Sequence, residues 1–194
     1  MASLVLSGDT SGSITVSAPA VAGSTTQTLV NVTGTLAPIV SGTALTAVTN
    51  FTTSADFTGI PSWVKRITLI FSDISLSGSD NVLVQIGDSG GLETTGYLGA
   101  NGYAISGAAT VAGNFTTGWG IAVGSASGVF FGTMQIVNLT GNTWVSSFSG
   151  GFSNAAAFSG GGGNKTLSAQ LDRVSVTRTG TNTFDAGTIN ILYE

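Results

Sequence analysis

The pentapeptide Gly87-Asp88-Ser89-Gly90-Gly91 places a serine between glycines and beside an acid, as a nucleophilic site would. A serine hydroxyl is a weak nucleophile at neutral pH and needs an adjacent general base, usually histidine. The chain contains no histidine and no cysteine, so this chemistry is excluded. The same absence excludes His/Cys zinc sites, thiol nucleophiles and disulfides. We therefore interpret the pentapeptide as a strand-ending turn.

Paired carboxylates offer a second chemistry, because glycoside hydrolysis needs only Asp and Glu side chains. The candidates are Asp73, Asp80, Asp88, Glu93, Asp172 and Asp185. Asp80 lies in a turn-like Gly-Ser-Asp-Asn segment and Asp172 adjoins Arg173, so local hydrogen bonding accounts for both. No segment has the spacing of an EF-hand calcium loop. We expect no catalytic residue, no bound metal and no cofactor, and therefore no enzyme.

Aromatic side chains are the best candidates for ligand contact, because sugar rings stack on exposed aromatic faces. Tyr97 and Tyr103 lie in a Gly-rich segment, and Trp119 lies between two glycines. Tyr among Gly and Asn is also typical of adaptable binding loops. We predict surface contacts at Tyr97, Tyr103 and Trp119. The alternative is that large aromatics, above all Trp144, belong to the core or to a subunit contact.

Charge is scarce throughout this chain of 194 residues. Charged residues make up 7%, against about 25% in typical soluble domains. The stretches Thr10 to Ala55 and Thr94 to Asn164 carry no charge at all. Soluble monomers normally spread charge over their surface, so the composition favours a protein that hides surface in an assembly. A monomer made soluble by Ser, Thr and Asn is the alternative.

The same composition limits the classes of partner. The net charge is −4 and the five basic residues are dispersed, which argues against nucleic-acid binding. No apolar run approaches the roughly 20 residues of a membrane helix, so we expect no membrane insertion. The N-terminal residues lack the basic and apolar regions of a signal peptide, which predicts synthesis in the cytoplasm.

Short alternating segments between Gly, Pro, Ser and Asp clusters predict an all-β fold. We expect an antiparallel, jelly-roll-like β-sandwich over residues 51–194. Residues 1–50 contain small side chains and no aromatic residue. This composition predicts an extended β arm that serves attachment or intersubunit packing. The apolar phase slips by one residue at Asp73 and again at Asp172, which predicts two β-bulges. No window has the periodicity of a helix.

Three segments carry further expectations. Val129 to Val137 is apolar at both alternating sets of positions, which predicts a strand covered on both faces, one by the core and the other by a neighbouring subunit. The strand-like C-terminal segment predicts a terminus held in a sheet. The glycine run within Ser159 to Asn164 predicts the most flexible loop of the chain.

Several segments resemble virion proteins of tailed bacteriophages, in particular tail-fibre, head-fibre and other appendage proteins. They are Ser7 to Gly12, Ala18 to Thr26, Ile60 to Phe71, Val84 to Gly91, Leu171 to Val174 and Phe184 to Asn190. The resemblance implies a multimeric virion component, typically a homotrimer bound to other virion proteins, and a virion location. It transfers no specific functional residue.

From these observations we expect a fibre or appendage subunit that mediates adhesion to a host-surface glycan or protein. Several weak sites on one assembly would supply the avidity. A capsid decoration protein without receptor binding is the alternative hypothesis, and a small polysaccharide-degrading enzyme is the third.

Overall fold

A computed structural model describes residues 3–7, 13–17, 43–44, 48–108, 110–123 and 125–194. The chain divides into two compact units, Met1–Pro38 and Ile39–Glu194. In the first unit β1 (Ser3–Ser7) and β2 (Ser13–Ser17) form an antiparallel hairpin. The rest of the predicted arm up to residue 42 lies outside the described residues. Residues 43–44 and 48–49 of that arm contribute strands to the sheet of the second unit, and the boundary after residue 50 stays a prediction.

Every regular element of the second unit, within the described residues, is a strand. The strands are β3 (Thr43–Ala44), β4 (Val48–Thr49), β5 (Ala55–Thr58), β6 (Arg66–Leu76), β7 (Val82–Asp88), β8 (Gly91–Leu92), β9 (Leu98–Ile105), β10 (Val111–Phe115), β11 (Trp119–Ile121), β12 (Phe130–Thr140), β13 (Thr143–Phe152), β14 (Ala155–Thr166), β15 (Leu171–Arg178) and β16 (Phe184–Tyr193). The all-β prediction is confirmed. None of the described segments forms a helix that could span a membrane.

The strands form two antiparallel sheets with the connectivity of a jelly roll. One sheet contains the order β4-β16-β6-β12 and the other the order β5-β15-β7-β11. Most consecutive strands of this set cross from one sheet to the other, as in the double Greek key of that fold. The predicted jelly-roll-like sandwich is therefore confirmed. The C-terminal strand β16 lies beside β6 in the sheet interior, so the terminus is held as expected.

Two insertions lengthen the first sheet on one side. Residues between β7 and β11 supply β9 and β10, and residues between β12 and β15 supply β13 and β14. These strands continue the sheet in the order β12-β13-β14-β9-β10, which gives a nine-stranded sheet against a five-stranded one. We call the nine-stranded sheet the long sheet. Apart from Lys165 and Thr166 at the end of β14, the strands of this extension lie within the charge-free stretch Thr94 to Asn164.

The core lies between the two sheets and follows the predicted alternation. Ile67, Leu69 and Phe71 point inward from β6, and the register then shifts so that Ile74 continues the buried set. Asp73 adopts a left-handed conformation (φ 55°) at this bulge. A second register shift separates Leu171 from residue 173 on β15. Both predicted bulges are confirmed, since each lets one strand keep its apolar side chains in the core.

The glycine run predicted as a flexible loop is instead the middle of β14, and that prediction is wrong. Gly161 pairs with Phe148 on one side and with Asn101 on the other. A Cβ on Gly161 would overlap the Ala100 carbonyl oxygen and would lie 2.8 Å from the Asn101 Cα atom. The run lacks side chains because the neighbouring backbones approach it closely, and not because the chain is loose there.

Among the residues that the structure describes, strand β12 is covered on one face only. Phe130, Met134 and Ile136 are buried, whereas Phe131 and Val137 on the opposite face are exposed. The expectation of a covered second face stays a prediction, because it concerns a neighbouring subunit.

Candidate functional site

The Gly87 to Gly91 segment forms the predicted tight turn between β7 and β8. The Gly90 amide donates to Oδ1 of Asp88 at 2.8 Å, and Gly91 has a positive φ of 134°. Ser168 donates its hydroxyl to Oδ2 of Asp88 at 2.7 Å. Both carboxylate oxygens of Asp88 are thus used in holding the turn, which ties it to the segment before β15.

An ion pair lies close to this turn, beneath the long sheet. Lys165 on β14 is 7% exposed at its side chain and contacts the carboxylate of Glu93. The ammonium nitrogen of Lys165 also lies 5.6 Å from the centre of the Tyr97 ring. Glu93 accepts a second hydrogen bond, from the Ser168 amide at 2.6 Å. We call Asp88, Glu93, Lys165, Ser168 and Tyr97 the polar cluster.

The electrostatics of the polar cluster indicate a structural role. The hydrogen bond from Ser168, helped by the Gly90 amide, holds the pKa of Asp88 below its ordinary value. Burial opposes ionisation of Glu93, but the contacts from Lys165 and Ser168 outweigh it and lower the pKa. A glycosidase acid needs a raised pKa to carry a proton at neutral pH. Both carboxyls are shifted the other way, so neither is suited to donate a proton.

Each of the other candidate carboxylates accepts a hydrogen bond, and two of them share a cleft. Asp80 accepts from the Asn182 amide at 2.8 Å, and Asp172 pairs with the adjacent Arg173. Asp73 and Asp185 both line an open cleft of about 560 Å³ beside the β6 bulge, where Asp185 accepts from Ser75 at 2.5 Å. No group of three or more acidic side chains within the described residues is arranged to hold a metal ion.

Two of the three predicted ligand-contacting aromatics are core residues. Tyr97 is fully buried, and Trp119 is 1% exposed. Their rings meet edge to face with centroids 5.2 Å apart. The Tyr97 hydroxyl accepts from the Ile86 amide at 2.8 Å and donates to the Ile86 carbonyl, and burial raises its pKa. The surface-contact prediction is wrong for both residues, because their rings fill the space between the sheets.

The third predicted residue, Tyr103, is half-buried and lines a groove. The groove holds about 300 Å³ and lies where β9 and β10 meet the segments before β7 and after β11. The Tyr103 ring packs edge to face on Phe152 at 5.5 Å. Phe115, Asn101 and Asn81 also line the groove. Ligand contact at Tyr103 stays a prediction.

The outward face of the long sheet is uncharged across its extension. Strands β9, β10, β12, β13 and β14 contain one charged residue, Lys165, and it points inward. The middle rows of this face are small or neutral: Thr133, Gln135, Ser147, Ser149, Gly160, Gly162, Ala100 and Gly102. The rows on either side of these carry exposed apolar side chains. One row contains Phe131 and Phe158, and the other contains Val137, Val145 and Leu98.

We call this surface the outer face. On the neighbouring strand β6, Arg66 donates to the carboxylate of Glu194 at 2.6 Å. Sequence reasoning found the missing charge but not the face, since its residues come from distant segments that only the strand register aligns. The apolar character of β12 at both alternating sets of positions is a signal of this face in the sequence.

No family model, no curated protein and no solved structure matches this chain.

Proposed function

We propose that this chain is a non-enzymatic structural subunit of a tailed-bacteriophage virion. It associates with copies of itself through the outer face, as a homotrimeric fibre or appendage that contacts other virion proteins and displays an adhesive surface to the host. The observation that carries the proposal is the outer face itself. The resemblance of the sequence to phage appendage proteins supports the choice of assembly.

Physical chemistry favours a protein partner for the outer face. Exposed apolar groups that cluster on a soluble protein mark an interaction surface. Phe131 is 46% exposed and Phe158 is 54% exposed, and burying each would remove substantial apolar area from water. The rows between them carry no charge, so their burial imposes no ionic desolvation cost.

A copy of the same chain suits this face better than a charged partner. Interface cores are depleted in charged residues and enriched in aromatics. A neutral face meets its own copy without like-charge repulsion, whereas it offers a charged partner no counter-charge. The hydroxyl and amide groups of Thr133, Gln135 and Ser147 can exchange hydrogen bonds across such a contact.

Substitution on the outer face tests the proposal. We expect the double variant Phe131→Ser/Phe158→Ser to sediment as a monomer at concentrations where the unmodified chain is a trimer. Both residues are exposed, so the variant should keep its fold, which circular dichroism checks. Leu92→Ser is the matched control, because Leu92 is 38% exposed but lies on the other sheet. Equal sedimentation of the double variant and the unmodified chain would contradict the proposal.

A further inference from the structure

The groove beside Tyr103 is a separate feature with its own chemistry. It opens at the edge of the sandwich, on the inward side of β9 and β10, while the outer face lies on the opposite side of the same strands. Its volume of about 300 Å³ is at the lower end of the range for small-molecule sites. A ligand of the size of a sugar ring suits this space.

Two aromatic rings form apolar walls of the groove and are held in place. Tyr103 is fixed edge to face against Phe152. Phe115 lies over Gly120, where any Cβ would overlap the ring, and a Cβ on Gly113 would lie 3.4 Å from it. Glycine at position 120 therefore lets the Phe115 ring lie flat against β11. Held rings lose little conformational freedom when they bind a ligand.

Two amide side chains supply directional polar groups. Asn101 is 6% exposed and donates through Nδ2 to the Gly120 carbonyl at 3.0 Å. That bond fixes the amide and leaves Oδ1 available as an acceptor. Asn81 accepts weakly from the Val123 amide at 3.4 Å. Its Nδ2 has no partner within the described part of the chain and is available as a donor.

We propose that this groove binds an uncharged saccharide. Apolar C–H faces of a sugar ring pack on Tyr103 and Phe115, and its hydroxyls bond to the amides of Asn81 and Asn101. None of the described residues that line the groove carries a charge, so an anionic sugar would find no counter-charge. A purely apolar ligand would leave the amides unsatisfied. The inference rests on the adhesive half of the proposed function.

The test is binding of the full chain to an immobilised panel of neutral oligosaccharides of hexoses and N-acetylhexosamines, with sialylated and sulfated glycans beside them. We expect binding to at least one neutral glycan, competed by the free oligosaccharide. Tyr103→Ala should weaken that binding by at least about tenfold, as loss of an aromatic anchor does. Tyr103→Phe, which keeps the ring, should retain it.

Trp63→Ala is the matched control, since Trp63 is 43% exposed and is not among the residues lining the groove. It should leave binding unchanged. Melting temperature and solution mass are measured for every variant, so that loss of fold or of assembly is distinguished from loss of the site. The inference is overturned if a chain of trimeric mass binds no neutral glycan, or if Tyr103→Ala and Trp63→Ala bind equally. Glycan binding by a monomer would contradict the assembly role and support the groove.

Discussion

Phe131 and Phe158 lie in one row across the long sheet, each paired with Gly151 between them. A Cβ on Gly151 would lie 3.2 Å from the Phe131 ring. The absence of a side chain between the two rings leaves one apolar strip that spans three strands. That strip, next to rows of small neutral residues, is the main structural reason for proposing an assembly role for this chain.

Alanine substitution at Gly161 should destabilise the fold, because the added Cβ meets the backbone of β9 and the Phe148 ring at 2.8 Å. We expect a loss of about 1–3 kcal/mol in the free energy of unfolding, the usual cost of overpacking. Urea unfolding measures it. Gly102→Ala is the control, since its nearest neighbour would be 3.9 Å away, and it should change little. Equal effects at the two positions would show that the glycines are not required by close strand approach.

Removal of one partner of the ion pair between Lys165 and Glu93 should destabilise the folded protein, because the other partner is left buried without its counter-charge. Lys165→Met leaves the carboxylate of Glu93 without its cation in a mostly buried site. We expect a loss of about 3 kcal/mol in unfolding free energy. Lys65→Met, at an exposed lysine, should change it by less than about 0.5 kcal/mol.

A double-mutant cycle isolates the pairing energy. Because Glu93→Gln/Lys165→Met removes both charges, it should cost less than the sum of the two single variants. Thermal or urea unfolding of the four proteins provides the comparison. Additive losses would mean that the two residues contribute independently.

Stability should fall in acid because of the polar cluster. The pKa values of Asp88 and Glu93 are both lowered in the folded protein. Such groups contribute stability that is present above the unfolded pKa and is lost as pH falls through the folded pKa. We therefore expect the unfolding free energy to decline below about pH 4. The variant Asp88→Asn/Glu93→Gln should show a flatter decline in urea unfolding, and an unchanged slope would contradict this assignment.

The Tyr97 hydroxyl should contribute to stability through one backbone group. Tyr97→Phe leaves the buried Ile86 amide without its acceptor. The expected loss is about 1–3 kcal/mol in unfolding free energy. Tyr103→Phe is the control, because among the described residues the Tyr103 hydroxyl has no hydrogen-bond partner. A similar loss in both variants would point to packing rather than to the hydrogen bond.

The sequence predicts those parts of the fold that depend on local alternation. The jelly-roll class and the bulges at Asp73 and Asp172 follow from the phase of apolar residues along single strands. The glycine run in β14 could not be predicted in this way, because consecutive glycines in a sequence usually indicate a turn or a loop. Its actual role is set by contacts with Ala100 and Asn101, which are distant in sequence.

The surface-contact predictions for Tyr97 and Trp119 failed for a related reason. Trp119 lies between glycines, which suggested an exposed loop. Those glycines instead allow close packing, since a Cβ on Gly118 would lie 2.7 Å from the Leu83 side chain. Trp144 lies in the core, as the alternative interpretation expects, because the alternation of buried residues along β13 is local. The outer face and the groove both combine strands that lie far apart in the chain.

The solution mass of the purified full chain, measured by light scattering after size exclusion, tests the central claim most directly. Self-association through the outer face predicts a mass near three times the chain mass of 19.3 kDa. A mass near 19.3 kDa at all accessible concentrations would contradict it.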